Sequence, residues 1–127
     1  MNLFVKVKML DDHNAVYILK YQKDNNFLLF PVMPVNSNKP INETYVILYA
    51  LYDFIRANRN SEKTKLIFYP NNDQIYYSWL ENKSDDVLWQ LIRKELATSN
   101  IKLEIKKSDS PLSSVSEVLE NLCLLQT

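Results

Sequence analysis

Glycine is absent from the 127 residues of this chain, although average usage would have supplied about nine. P-loops and Gly-rich dinucleotide fingerprints need backbone without a Cβ close to a phosphate, so the sequence excludes both. Its one cysteine, Cys123, allows no internal disulfide and no Cys-based zinc site. Its one histidine, His13, has no second His or Cys near it in sequence, which removes most His-based catalysis and metal binding.

An excess of charge of one sign and long apolar runs are also missing. Lys and Arg number 15 and Asp and Glu number 15, so the net charge is zero. A strong non-specific nucleic-acid binder depends on neutralising phosphates, and zero net charge argues against one. No apolar run approaches the roughly 20 residues of a membrane span, and no basic region precedes one. We therefore expect a cytoplasmic protein without a membrane partner.

What the sequence does contain is enough apolar material for one domain spanning residues 1–127. Apolar residues make up 46% of the chain and aromatic residues 12%. Three strands are predicted first, because apolar residues alternate with Lys6 and Lys8 in the first segment, and turns rich in Asp and Asn separate the segments. The three segments are residues 3–10, 15–22 and 27–33. Pro31 cannot donate to a strand ladder, which places the third strand at a sheet edge.

Helices and strands alternate in the rest of the chain. The apolar stripe of residues 42–57 predicts a long helix, and the apolar run 66–69 predicts a fourth strand. A short helix follows, with Ile75, Trp79 and Leu80 predicted to form its buried face. The remaining predicted elements are a helix containing Leu88 to Leu96, a fifth strand from Ile101, and a last helix that begins near Ser114 and Glu117.

The resulting order is β-β-β-α-β-α-α-β-α, which indicates an α/β domain. Short turns make the first three strands antiparallel, and right-handed crossovers through helices make the later ones parallel. We expect a five-stranded mixed sheet in spatial order 3-2-1-4-5, with helices on both faces.

Several residues fall at the spacing of a known family. Glu43 precedes Ala50 and Leu51 by seven and eight residues, and the segment 67–76 joins the fourth strand to the short helix. The closing strand 101–107 and the helix around 116–119 complete the pattern. In this order and spacing the sequence resembles the ribonuclease H family from about Leu3 to Leu122, which implies the ribonuclease-H-like fold.

The resemblance implies a site of four carboxylates that hold two magnesium ions. The matching positions are Met9 or Leu10 with Asp11 and Asp12 just beyond, Glu43, Asn72 with Asp73 one residue on, and Ser116 with Glu117 adjacent. Neutral Asn and Ser offset little of the charge of the second cation. The Gly-rich turn after the family's first strand is also missing, as is its histidine before the last helix. Glu43 and Asp73 are therefore candidate metal ligands, and Asp11 and Asp12 are candidate vestigial site residues.

Each of these candidates also has an ordinary structural interpretation. Glu43 shares a helical face with Ile47 and is expected to point towards the sheet, where its first-turn position favours a negative charge. Asp73 suits a helix cap or first turn. Asp11 and Asp12 suit a solvated turn.

Two further groups of residues suggest partners. Lysines of the first and fifth strands would form a modest basic patch for RNA or an RNA–DNA hybrid, or ordinary strand surface. These are Lys6, Lys8, Lys102, Lys106 and Lys107. Tyr76 and Tyr77 flank the predicted buried face of the short helix, which suits a protein interface, although bases could also stack on them.

The leading expectation is a ribonuclease-H-like domain without nuclease activity and without a cofactor. It would act in interaction with another protein, with a second copy of itself, or with nucleic acid. The alternative is an active magnesium-dependent ribonuclease that cleaves RNA in RNA–DNA hybrids with Glu43, Asp73 and Asp11 or Asp12. A third interpretation is a small accessory protein for which the fold is only a scaffold.

Overall fold

The structure, a computed structural model, describes residues 1–24, 26–60, 62–70, 72–81 and 87–107. Within these ranges the chain forms an α/β fold with six strands and three helices. In chain order they are β1 (Asn2–Met9), β2 (Asn14–Lys23), β3 (Asn26–Leu29), β4 (Met33–Asn36), α1 (Glu43–Ala57), β5 (Thr64–Tyr69), α2 (Asp73–Leu80), α3 (Val87–Ala97) and β6 (Ile101–Ile105).

The strands form one open mixed sheet. Its order is β3-β2-β1-β5-β6, and β4 also pairs with β2. β1 and β2 are antiparallel, as are β2 and β3 and β2 and β4, whereas β1–β5 and β5–β6 are parallel. The sheet is therefore antiparallel on one side of β1 and parallel on the other.

The prediction of five strands is wrong, because the predicted third strand, residues 27–33, covers β3 and only the first residue of a further strand, β4, which continues to Asn36. β3 pairs with residues 20–23 of β2, and β4 pairs with residues 14–17. Between them the backbone N–H of Phe30 still donates to the carbonyl of Leu19 at 3.0 Å. Pro31 follows with no N–H to donate, so the pairing stops there and resumes at Met33.

The two sides of β1 differ in length. β1 pairs with β2 over eight residues, from Asn2↔Gln22 to Met9↔Ala15. It pairs with β5 only from Asn2 to Phe4. The β1–β2 ribbon consequently extends beyond the parallel half of the sheet. Its turn is held to the chain before α1, because the N–H of Ile41 donates to the Asp12 carbonyl at 2.7 Å.

Helix α1 begins where an asparagine satisfies its first free donors. The Asn42 side chain has extended backbone geometry and accepts from the N–H of Tyr45 at 2.8 Å. The apolar stripe then buries seven residues against β1 and β2, as its periodicity predicts. They are Val46, Ile47, Leu48, Ala50, Leu51, Phe54 and Ile55.

Helices α2 and α3 join the same core. Ile75 of α2 is fully buried in the cluster that contains α1, and the indole of Trp79 packs 5.6 Å from that of Trp89 in α3. The prediction that Leu80 is buried is wrong, since its side chain is 59% exposed. Trp79 lies one turn after Ile75, whereas Leu80 is rotated a further ~100° away from that face.

All three helices therefore contribute to a core on one face of the sheet. On the opposite face Phe4, Val16 and Ile18 are buried outside that cluster, and the Phe4 ring stacks 4.8 Å from that of Tyr69. The last predicted helix, together with Ser116, Glu117 and Cys123, lies outside the described residues. No helix in the described ranges is both long enough and apolar enough to cross a membrane.

Candidate functional site

Glu43 and Asp73, the two candidate metal ligands, each occupy the first position of a helix. Both side chains are exposed, and an asparagine caps each helix just before them. The expectation that Glu43 points into the sheet is wrong, because burial in α1 starts at Val46, almost a turn later. Both carboxylates instead lie where the free N–H groups of a helix start favour negative charge.

A side-chain contact holds these two helix starts together. The Thr44 hydroxyl, one residue after Glu43, donates to Oε1 of Gln74, one residue after Asp73, at 3.3 Å. The fold thereby brings two predicted site residues to one end of the helical layer, although they are 30 positions apart in sequence. A shallow hollow of about 400 Å³ lies along this contact, lined by Thr44, Asp73, Gln74, Tyr77, Ser78 and Glu81.

Asn72, which stands where the family pattern expects a carboxylate, has a capping role. Its backbone is extended and its Oδ1 accepts from the N–H of Ile75 at 3.3 Å. This bond satisfies one of the free donors at the start of α2. The side chain thus serves helix formation.

Asp11 is engaged in the turn between β1 and β2. Its carboxylate accepts from the backbone N–H of His13 at 2.7 Å, and Nδ2 of Asn14 lies 2.9 Å from each oxygen. The Asn14 amide first, and the His13 N–H second, lower the pKa of the exposed Asp11 carboxyl below 3.8. Asp12, beside it, is exposed and contributes its backbone carbonyl to the contact with Ile41.

The resemblance implies a two-magnesium centre, whose fourth position, Ser116 with Glu117, lies outside the described residues. Such a centre needs carboxylates that converge on cations about 4 Å apart. Among the described residues, no three Asp, Glu, His or Cys side chains are grouped so that they could hold a metal ion. Asp11 is committed to its turn, and Asn72 brings no charge.

The lysines predicted to form a basic patch are divided between different contacts. Lys106 lies 3.9 Å from Glu104, which also pairs with Lys65 at 3.0 Å. The bond from Lys65 is the main cause that lowers the pKa of Glu104. Lys107 donates to the Tyr77 hydroxyl at 2.7 Å, and that bond raises the pKa of Lys107. The end of β6 is therefore a mixed-charge surface.

The aromatic residues of α2 are partly accessible, as predicted. Tyr76 is half-buried and Tyr77 is exposed, with Nζ of Lys107 4.6 Å from the centre of the Tyr77 ring. The Arg93 guanidinium lies 4.6 Å from the centre of the Trp79 ring. The accessible rings of α2 therefore contact cationic side chains of the same chain, Lys107 and Arg93.

A groove that the sequence did not indicate crosses the opposite end of the helical layer. We call it the end groove, because it lies where α1 ends at Asn58. Its volume is about 450 Å³, within the range of ligand sites in proteins. Five adjacent strands or strand ends contribute to it, and Phe54 of α1 forms a wall together with Asn58, the residue that caps the end of this helix. The lining residues are Met1, Tyr21, Lys23, Leu28, Phe30, Phe54, Asn58, Glu62, Thr64, Leu66 and Ile101.

The end groove continues along α1 into a second, more apolar hollow. This hollow, of about 190 Å³, shares Phe30, Phe54 and Asn58 with the groove. Tyr17 and Asp53 also line it. Burial raises the pKa of Tyr17 to about 12, with smaller contributions from Asp53 and Tyr49. Inside the groove the Tyr21 hydroxyl donates to the Met1 sulfur, and burial raises the pKa of Tyr21 as well.

Beside the groove lies an exposed edge strand. β3 is at the end of the sheet, and its Phe27, Leu28 and Leu29 are 59%, 54% and 45% exposed. Leu28 stands opposite Tyr21 in the β2–β3 register and shares its face, so it belongs to both the edge and the groove. Pro31 in the strand pattern predicted the edge position. No pattern in the sequence predicted that Phe27, Leu28 and Leu29 would all be exposed.

Comparison with known proteins adds no relative. No protein-family model matches the chain, and no curated protein matches it.

Proposed function

We propose that this chain is a ribonuclease-H-like domain without nuclease activity that acts by binding another protein. Two features of the fold support the resemblance. Antiparallel strands β1 to β4 are followed by parallel strands β5 and β6, and α1 packs against β1 and β2 with Glu43 at its start.

The observation that best supports a domain without nuclease activity is that Asn72 caps a helix. The resemblance implies a carboxylate just after the strand that the structure numbers β5. The side chain found there is that of Asn72, which caps α2. Asp11, next to the expected position on the first strand, is likewise held in its turn by the Asn14 amide. One of the four expected acidic positions, and the acidic residue beside another, therefore have structural roles that this proposal sets in place of metal binding.

Protein is favoured over nucleic acid by the character of the exposed surface. The β3 edge exposes three consecutive apolar residues, which is typical of an interaction surface. At the end of β6, Lys65 and Lys106 share the carboxylate of Glu104, and Lys107 donates to Tyr77. The zero net charge of the chain also argues against a binder that depends on neutralising phosphates.

The nuclease alternative has one observation in its favour. The bond between Thr44 and Gln74 keeps the starts of α1 and α2 together, and with them Glu43 and Asp73. An active site built there would depend on both carboxylates.

A cleavage assay separates the two functions. The full chain is incubated with a labelled RNA–DNA hybrid across titrations of magnesium and of manganese, in parallel with Glu43→Ala. We expect no cleavage above the protein-free blank for either protein. Glu43 is exposed and its charge at the helix start contributes at most about 1 kcal/mol, so the variant is expected to remain folded with a slightly lower urea midpoint. Cleavage by the parent that the folded Glu43→Ala variant lacks would establish the nuclease and overturn the proposal.

A further inference from the structure

We propose that β3 and the end groove together bind an extended segment of a partner protein, which adds to the sheet as a new strand beside β3. This inference rests on the proposed function, because it names the kind of partner and the surface that a protein-binding domain would use. The segment would be apolar over about four residues and would carry an acidic residue beside them.

The backbone of β3 supplies the first part of the surface. Among the described strands, β3 pairs with β2 alone, so its outer N–H and C=O groups have no strand partner there. Such rows pair readily with another chain, and proteins usually protect them with charged residues or proline. Asn26–Leu29 contains neither, and Pro31 limits the edge only at its far end. An added strand therefore meets about four unprotected residues.

The side chains of β3 divide between two faces. Leu28 faces the end groove with Tyr21, whereas Phe27 and Leu29 stand opposite Gln22 and Lys20 on the other face. Alternate residues of an added strand follow the same division. One of them would enter the groove beside Leu28, and its neighbours would cover Phe27 and Leu29.

The end groove provides room for a large side chain. Tyr21, Leu28 and Phe54 supply apolar and aromatic surface, and the volume of about 450 Å³ exceeds that of the adjoining hollow. Tyrosine and tryptophan side chains that enter such recesses carry much of the affinity of protein interfaces. We therefore expect an aromatic residue at the position that faces Leu28.

Charge beside β3 selects an acidic segment. The stretch of β2 that pairs with β3 carries Lys20 and Lys23 and no acid, whereas Asp24 follows in the turn and Glu62 lines the groove, so the positive charge is clearest at Lys20, on the face of Phe27 and Leu29. Nζ of Lys20 lies 4.6 Å from the centre of the Phe27 ring, so its charge is held at the edge. Lys23 lines the groove and has no ion pair with a described residue. A carboxylate in the partner would be attracted to either lysine.

A second copy of this chain fits the surface less well. Phe27, Leu28, Leu29 and Met33 are each about half exposed, between 41% and 59%. Aromatic side chains bury roughly 150–250 Å² and aliphatic ones less, so these four half-exposed side chains on each of two copies would bury at most on the order of 800 Å². That area is the size of a crystal contact and below the ~1,200 Å² of a stable complex.

The test uses peptides selected for binding to the full chain. A phage-displayed library of random twelve-residue peptides is selected on the parent protein, and the enriched peptides are synthesised and measured by fluorescence anisotropy. Two variants are compared, Leu28→Glu in β3 and Leu10→Glu in the β1–β2 turn, where Leu10 is similarly exposed at 46%. We expect enriched peptides to combine an apolar run with Asp or Glu. Leu28→Glu should weaken their binding by about tenfold or more, whereas Leu10→Glu should not.

Backbone pairing gives a second readout. N-methylation of alternate amides in a selected peptide removes donors to β3 and should weaken binding to the same degree in one of the two registers. The proposal is overturned if no peptide is enriched, if Leu10→Glu and Leu28→Glu weaken binding equally, or if N-methylation in both registers has no effect. It is also overturned if sedimentation shows a dimer of the parent chain that Leu28→Glu dissociates, because a second copy then occupies the edge. Cleavage of the RNA–DNA hybrid in the assay described under the proposed function would refute that function, independently of the result for peptide binding.

Discussion

The phenol of Tyr17 makes the stability of this protein depend on alkaline pH. Tyr17 lies in β2 beneath α1 and is 2% exposed, and its pKa is raised from 10.0 to about 12, chiefly by burial. The folded protein therefore keeps the phenol proton to higher pH than the unfolded chain does. The contribution to stability is fully present below pH 10 and is lost as pH rises from there through 12.

The size of this effect follows from the two pKa values. Each unit of difference corresponds to ~1.4 kcal/mol between the protonation states, so the complete loss is about 2.7 kcal/mol. At a pH of about 11, half of that loss, about 1.4 kcal/mol, is expected from Tyr17 alone.

Urea unfolding of the parent and of Tyr17→Phe measures the effect. The variant keeps the ring and removes the ionising hydroxyl, so between pH values of about 9 and 11 the parent should lose about 1.4 kcal/mol more than the variant. Tyr45→Phe, at an exposed position of α1, is the matched control and should follow the parent. Equal losses for the parent and Tyr17→Phe would refute the assignment of this alkaline sensitivity to the buried phenol.

Two further predictions concern side chains that hold a helix start and a turn. Asn42→Ala removes the cap of α1 and should lower the free energy of unfolding by about 1 kcal/mol, whereas Asn42→Asp, which keeps an acceptor for the N–H of Tyr45, should be nearly neutral; equal urea midpoints for Asn42→Ala and the parent would count against the cap. The lowered pKa of Asp11 means that its carboxylate contributes stability above pH 3.8, which is lost as pH falls through the folded-state pKa. Thermal unfolding from pH 5 downward should therefore show a smaller acid-induced drop in Tm for Asp11→Ala than for the parent, and parallel curves would contradict this.

Much of the fold follows from local patterns in the sequence. The alternation in β1 and the apolar stripe of α1 each depend on neighbouring residues, and the structure has both elements where the pattern places them. Pro31 marked an edge, but the sequence did not show that pairing would resume at Met33. That outcome depends on the length of β2, which offers partners on both sides of the interruption.

The candidate sites were less predictable, because they depend on contacts between distant segments. The end groove joins Met1, Leu66 and Ile101, which meet only through the register of three parallel strands. Glu43 shows a different difficulty. Glu43 lies on the same helical face as the buried Ile47, which predicted that it would point towards the sheet. Periodicity does not show that the first turn of a helix can extend beyond the edge of the sheet.

The turn before β3 has a consequence for the proposed edge. In the part of the chain that the structure describes, Asp24 is the one residue in the left-handed region, with φ of 55°. Because the chain has no glycine, a residue with a Cβ has to adopt the left-handed backbone conformation. Asp adopts it at lower cost than most residues. A shift of β3 by one residue would exchange its two faces, turning Leu28 away from Tyr21 and bringing Phe27 and Leu29 to that side. Hairpin register depends on turn geometry, so a substitution at Asp24 that disfavours this backbone conformation would be expected to change which residues of β3 an added strand meets.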